Sequence, residues 1–260
     1  MNIVVCVKQT PLATAEKTLR PDGVLEREET ENAMNGYDEV AVEAALRVQE
    51  EHGGEVTVLT MGPDDAMDTV RKALAMGAHK AVMVTDDALA GSDAWATAHV
   101  LAAAIKQMDP APDLVIMGMQ SDDAGTGVVH HAVAEHTVLP ALTHTAKIEI
   151  DGTTITTQRR RDDGYAVLQA QLPALVGVID VIYSPRYPSL KGIMAAKKKP
   201  LETLDLGNLG LDAGSVGLGG SKTHVVGTEA PPVRASGEVI EDKGDAAQRI
   251  IEFLIAKKVL

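Results

Sequence analysis

Short apolar, β-branched runs alternate with amphipathic helical stretches along the first half of this chain, and that alternation constrains the fold more than any other feature. Asn2-Ile-Val-Val-Cys-Val-Lys8, Glu55-Val-Thr-Val-Leu-Thr-Met61, Lys80-Ala-Val-Met-Val84 and Leu114-Val-Ile-Met117 read as buried strands. After the first, Val40, Ala44 and Val48 recur every fourth residue between Tyr37 and His52, with Ala41 and Ala45 widening the stripe. Asn35-Gly36 supplies the turn that starts this helix. The helix after the second strand has Pro63 at its first position, Asp64 and Asp65 at its positive end and Gly77 at its stop. Ser92 is the expected cap of a third helix, whose inner stripe takes in Trp95, Ala98, Ala102 and Ile105. Trp95 reads as packing. A helix beginning near Val128 follows the fourth strand. Such regular alternation implies an α/β fold of Rossmann-like type, a parallel sheet with helices on both faces. Ligands of such sheets sit outside the carboxyl ends of the strands, here Lys8, Met61 and the Gly118–Thr126 loop.

That loop, Gly-Met-Gln-Ser-Asp-Asp-Ala-Gly-Thr from 118 to 126, is small, polar and glycine-bearing, and it feeds a helix. Backbone N–H groups converging at a helix N-terminus can hold a phosphate without a metal or a basic side chain. The spacing is neither G-x-G-x-x-G nor a P-loop. Two readings therefore stay open on the pattern alone, an anion site and an ordinary strand-to-helix turn.

The pattern changes after Pro140. Ala146-Lys-Ile-Glu-Ile150 and Thr153-Ile-Thr-Thr157 flank Asp151-Gly152, a hairpin signal, and Tyr165–Gln171 and Ala174–Ile179 are further strands, so antiparallel additions extend the sheet. Pro21-Asp-Gly23 suggests a smaller hairpin inserted after the first strand. Pro185–Met194 is a loop with apolar residues at its tip, followed by Lys197-Lys-Lys199. Residues from about 200 to 237 read as an extended arm rich in Gly, Pro and Ser, and Gly244 to Lys258 as an amphipathic helix with Ile250, Ile251 and Leu254 on one face. An arm ending in an isolated amphipathic helix must dock on its own domain or on a second chain.

Composition narrows the function. Aromatic residues make up 2% of the chain, too few for a base-stacking platform, and a net charge of −13 opposes binding to a phosphate backbone, so no nucleic-acid partner is expected. The single cysteine, Cys6, lies inside the first strand and reads as a small core hydrophobe, which leaves no disulfide or CxxC frame. No signal peptide and no bilayer-length apolar run is evident, and a cytoplasmic protein is expected. His130, His131, Glu135 and His136 invite a metal reading, yet no two of these histidines are three or four residues apart, so no one helix face collects several imidazoles. Asp122-Asp123 has no nucleophile beside it in the pattern, and Arg159-Arg-Arg-Asp-Asp163 reads as a self-paired solvated edge. Neither a catalytic set nor a metal site is expected.

Several strings resemble the β subunits of electron transfer flavoproteins, the FixA-like family. They are Ala33-Met-Asn-Gly-Tyr-Asp-Glu-Val-Ala-Val-Glu-Ala-Ala45, Met61-Gly-Pro63 with Arg71–Ala78, Arg159-x-x-Asp162-Asp-Gly164 with Leu172-Pro-Ala174, and Pro185-Arg-Tyr187 with Gly192-Ile-Met-Ala-Ala-Lys-Lys-Lys199. The resemblance runs nearly end to end. It implies a heterodimer whose α subunit holds the redox-active FAD, while the β subunit holds a structural AMP, or a second FAD in electron-bifurcating members. By the same resemblance Cys6 contacts the nucleotide through its backbone, and Asn35, Gly36, Tyr37, Asp38 and Met61 border the adenosine. Gly118, Met119, Gln120, Ser121, Asp122, Asp123, Ala124, Gly125 and Thr126 would wrap the phosphate. Leu190, with Ile193 and Met194 beside it, would anchor partner dehydrogenases, which donate electrons bound for a membrane or soluble acceptor.

Two departures stand out. Ala166 occupies a position where the family signature has Glu or Gln, and the loop from Ser121 to Gly127 is short and lacks the family's Asn and Gln. Scarce aromatics favour AMP over a stacked flavin. The implied organisation is a nucleotide-binding α/β domain over 1–184, a partner-recognition loop over 185–199, and an arm and helix over 200–260 that dock on the partner subunit. The competing class is a stand-alone adenine-nucleotide-binding module of universal-stress type, or a hydrolase, on the same sheet. Such a self-contained module has no use for about sixty residues beyond its sheet.

Overall fold

The computed structural model describes every residue apart from 28, 230, 231, 234–236, 238 and 240. It divides into two units, Met1–Val226 and Gly227–Leu260. In chain order the first unit contains β1 (Asn2–Cys6), β2 (Gln9–Pro11), β3 (Asn32–Met34), α1 (Gly36–His52), β4 (Glu55–Met61), α2 (Met67–Met76), β5 (Lys80–Val84), α3 (Ala94–Gln107), β6 (Leu114–Gly118) and α4 (Val129–Thr137). Then come β7 (Ala141–Asp151), β8 (Thr154–Arg161), β9 (Gly164–Gln171), β10 (Ala174–Val178), α5 (Leu190–Ala196), β11 (Leu201–Leu204), α6 (Leu206–Leu209) and α7 (Gly217–Gly220).

A nine-stranded sheet runs β11-β5-β4-β1-β6-β10-β7-β8-β9. Every pairing from β11 to β7 is parallel, and β8 and β9 are added antiparallel. Alternation along β1 explains the layering: Ile3 and Val5 face one core with α1 and α2, while Val4 and Cys6 face the other with α3 and α4. Ala41, Ala44, Ala45 and Ala98 are fully buried, so small side chains let the helices lie close on the sheet where a chain poor in aromatics has no bulky filler. The chain winds from β1 to β4 and β5 on one side, then crosses to β6 on the other. The strand order therefore reverses between β1 and β6, which opens a crevice at their carboxyl ends.

Several local expectations change. Asp93, rather than Ser92, caps α3, accepting from the Trp95 and Ala96 N–H groups at 3.0 and 2.9 Å. The Ser92 hydroxyl instead donates to Leu89 O, because the backbone there turns through a short 3-10 segment first. Trp95, expected on the inner stripe, is 47% exposed, since it lies in the first turn beyond the sheet's cover. The Pro-bounded loop after 185 contains the helix α5, capped by Ser189 at Gly192 N–H. The supposed arm begins inside the domain: β11 pairs with β5, and Lys222 and Thr223 N–H groups donate to the Asp93 carboxylate. Backbone pairing to an open sheet edge outweighed the loop-like composition.

The second unit contains α8 (Ala246–Ala256). Ile250, Ile251, Phe253 and Ile255 are each at least half exposed, and no residue of the helix is buried. Among the described residues no helix is long and apolar enough to cross a membrane.

Candidate functional site

The crevice between β1 and β6 is walled by the first turn of α1 and by the loop from β6 to α4. Gly118 ends β6 against α1. A Cβ there would lie 2.5 Å from Asp38 Oδ1 and 2.8 Å from the Tyr37 carbonyl carbon, so only glycine permits this approach. Asn35 precedes α1 without capping it, because its side chain holds the loop instead. Asn35 Nδ2 donates to Gln120 O at 2.8 Å, and Asn35 Oδ1 accepts from the Asp122 N–H at 3.1 Å. Gln120 Nε2 donates to the Tyr37 hydroxyl at 3.1 Å. The Gly36 N–H, at the positive end of α1, donates to Asp122 Oδ2 at 3.1 Å.

Charge is arranged on the inner side of the same loop. Lys8 Nζ donates to Asp123 Oδ1 at 2.8 Å and Arg27 donates to the other oxygen, around a carboxylate whose side chain is 1% exposed. Burial alone would raise the Asp123 pKa, but the two cations outweigh it and hold the carboxyl well below the usual range. Burial lowers the Lys8 ammonium, a shift opposed by Asp123. Asp38 lies beneath, its Oδ2 accepting from the Lys8 N–H at 2.8 Å, and burial pushes its pKa up to about 7 against the pull of Asn35 and Lys8.

Both loop carboxylates thus have partners, Asp123 in Lys8 and Arg27 and Asp122 in the Gly36 N–H. At α4 no side chain caps the helix, and the Val129, His130 and His131 N–H groups have no partner among the described residues. Gly125 and Gly127 take φ of +60 and +62°, left-handed conformations that favour glycine, and the Gly125 N–H donates to Ser121 O at 2.8 Å. Free N–H groups at a helix N-terminus can hold an anion. An Asn35→Ala substitution removes both ties to the loop and is expected to cost about 1–2 kcal/mol in urea unfolding. It should also loosen the loop, seen as faster amide exchange at 120–127; unchanged exchange there would refute the tethering role.

The other expected residues are distributed around this crevice. Cys6, at the end of β1, is buried, and burial pushes its thiol pKa up. Met61 ends β4, and among the described residues no hydrogen bond ties it to the loop. Met119 and Ser121 are partly buried, whereas Ala124, Gly125 and Thr126 are exposed. Leu190, Ile193 and Met194 lie on α5 against α2, apart from the mouth, and are 78, 46 and 63% exposed. The sequence marks Lys8 only as a strand end at the ligand mouth and does not single out Arg27. A lysine closing a buried strand in an acidic chain is a usable signal for the first, while nothing local marks the second. His130 is 1% exposed, packed on Gly177, and burial lowers it to about 3, so it is a neutral core residue.

Fold and crevice together define a doubly wound α/β protein with an uncapped helix N-terminus at its topological switch point. The chain belongs to the electron transfer flavoprotein family. The model of the electron transfer flavoprotein domain matches residues 22–209. The chain is 42% identical to the electron transfer flavoprotein subunit beta of Mycobacterium leprae, over 100% of this chain and 99% of that one. It is 38% identical to the same subunit of Thermoanaerobacterium thermosaccharolyticum, over 100% of both chains. It is also 36% identical to subunit CarD of the caffeyl-CoA reductase-Etf complex of Acetobacterium woodii, over 99% of this chain and 97% of that one. The likeness to beta subunits is thus full-length.

Proposed function

We propose that this chain is the beta subunit of a heterodimeric electron transfer flavoprotein that carries electrons in the cytoplasm and makes or breaks no substrate bond itself. Its partner is an alpha subunit holding the FAD, and the flavin supplies the redox chemistry when bound. This chain contributes an adenylate seat, one wall of the flavin cleft and a recognition surface for dehydrogenases. Distance and environment, not a reactive side chain, govern such transfer.

The observation that carries the nucleotide reading is the uncapped N-terminus of α4 beside a glycine-bearing loop whose two acids already have partners. AMP suits this mouth better than a second FAD. Tyr37 is the aromatic side chain at its rim, and its hydroxyl is engaged by Gln120. A second FAD in this subunit, as in electron-bifurcating members, is the alternative within the family. The exposed apolar residues of α8 support docking on the alpha subunit, and the exposed Leu190, Ile193 and Met194 support recognition by dehydrogenases.

Co-expression with the alpha subunit, followed by denaturation and mass analysis of released nucleotides, tests the reading. One AMP and one FAD per heterodimer is the expected result. Two FAD and no AMP would move the protein to the bifurcating type. A colourless monomer that hydrolyses ATP would overturn the subunit reading and favour a stand-alone nucleotide-binding module.

A further inference from the structure

The segment leading into α5 is fixed to α1 by buried charge. Arg186 Nε donates to Glu43 Oε2 at 2.7 Å, its Nη2 to Oε1 at 3.1 Å, and its backbone N–H to Oε2 at 3.2 Å. The remaining edge of the guanidinium engages Glu50. Glu43 is 1% exposed and also accepts from Arg47 Nε at 2.7 Å. Burial pushes the Glu43 pKa up, but the bonds from Arg186 and Arg47 outweigh it and hold the group ionised. Arg47 in turn lies over the Tyr183 ring at 4.6 Å.

The far end of the segment is fixed to α2. Lys199 Nζ donates to Leu74 O and Ala78 O at 2.8 and 2.5 Å, placing a cation on the negative end of that helix. Arg71 Nη1 donates to Ala196 O at 3.0 Å. Between these ties a Cβ on Gly192 would lie 2.3 Å from Ala75 O, so α5 rests directly on α2.

Seven residues do not sustain a helix in water, so the order of α5 comes from what holds it. A buried ion pair adds little net stability over apolar packing, and its advantage lies in fixing one geometry. A forked guanidinium gripping one carboxylate from two sides fixes direction as well as distance. We propose that the Glu43–Arg186 pair, with Lys199 behind it, is a positioning clamp that presents α5 as a preformed knob to the electron-donating dehydrogenase. The partner then meets an ordered surface and does not have to order a loop on contact. The inference rests on the proposed role of Leu190 as the recognition anchor.

The test uses the heterodimer carrying Glu43→Gln/Arg186→Met, which removes both charges and leaves neither buried alone. Arg186→Lys and Leu190→Ala serve as companions, and a flavin-dependent dehydrogenase is the electron donor. The double variant is expected to exchange the amides of 190–196 about tenfold faster and to raise the KM for the dehydrogenase about tenfold, a shift of one decade in apparent affinity. The kcat at saturating dehydrogenase and the FAD content should stay at the wild-type level, with Arg186→Lys intermediate. Unaltered exchange at 190–196 overturns the clamp. A KM raised by Leu190→Ala but not by the double variant overturns the clamp alone. A KM moved by neither overturns the recognition reading and the clamp with it.

Discussion

Gly118→Val is expected to destabilise the first unit by about 3 kcal/mol, the upper part of the usual range for overpacking, and to abolish the proposed nucleotide binding. The positions that a Cβ would invade belong to the Tyr37 backbone and the Asp38 carboxylate, at 2.8 and 2.5 Å. Neither can retreat cheaply. Tyr37 lies in the first turn of α1, and Asp38 is held by the Lys8 N–H. Gly125→Ala is the control. It has open space around it but a φ of +60°, so it pays only conformational strain of roughly 1–2 kcal/mol. Urea unfolding of the two variants and nucleotide content of the heterodimer separate these causes. Should Gly118→Val unfold no more easily than Gly125→Ala, close approach between β6 and α1 is not what requires glycine.

The second large effect concerns pH. Asp38 titrates at about 7 in the folded protein, against about 3.9 for an unperturbed aspartate. A carboxyl with a raised folded pKa contributes its full stability below the unfolded value and loses that contribution as pH rises through the folded one. The window therefore runs from about pH 4 to 7, and a displacement of that size corresponds to at most about 4 kcal/mol. Asp38→Asn retains an acceptor for the Lys8 N–H and removes the titration. Relative to wild type, the variant should gain stability steadily between about pH 4 and 7 in urea unfolding and level off above that. Parallel pH profiles for the two proteins would show that Asp38 is not paying for a buried charge. Asp123 runs the opposite way: its depressed carboxyl stabilises the fold above the unfolded value and loses that effect as acid protonates it.

How much of this was legible beforehand depends on the range of the interaction. The hairpin at Asp151-Gly152 forms where expected, with Gly152 at φ +57°, because a two-residue turn is encoded in adjacent residues. The cap of α3 moved by one position because the competing acceptor, Asp93, also gathers Lys222 and Thr223 from 129 and 130 residues away. The Asn35 side chain left its own helix for a loop 85 residues on. Glu43 had the character of a solvated helix residue until Arg186, 143 positions later, covered it.

The sequence by itself determined the alternation of strands and helices, the parallel sheet with helices on both faces, the glycine-bearing loop at its mouth and the family. Period and turn chemistry are local, and motif strings survive as strings. Only the tertiary structure decided which charges meet. Lys8 and Arg27 close on Asp123, β11 takes the sheet edge and α5 is held between two helices, because such pairings depend on residues far apart in the chain arriving at the same desolvated place.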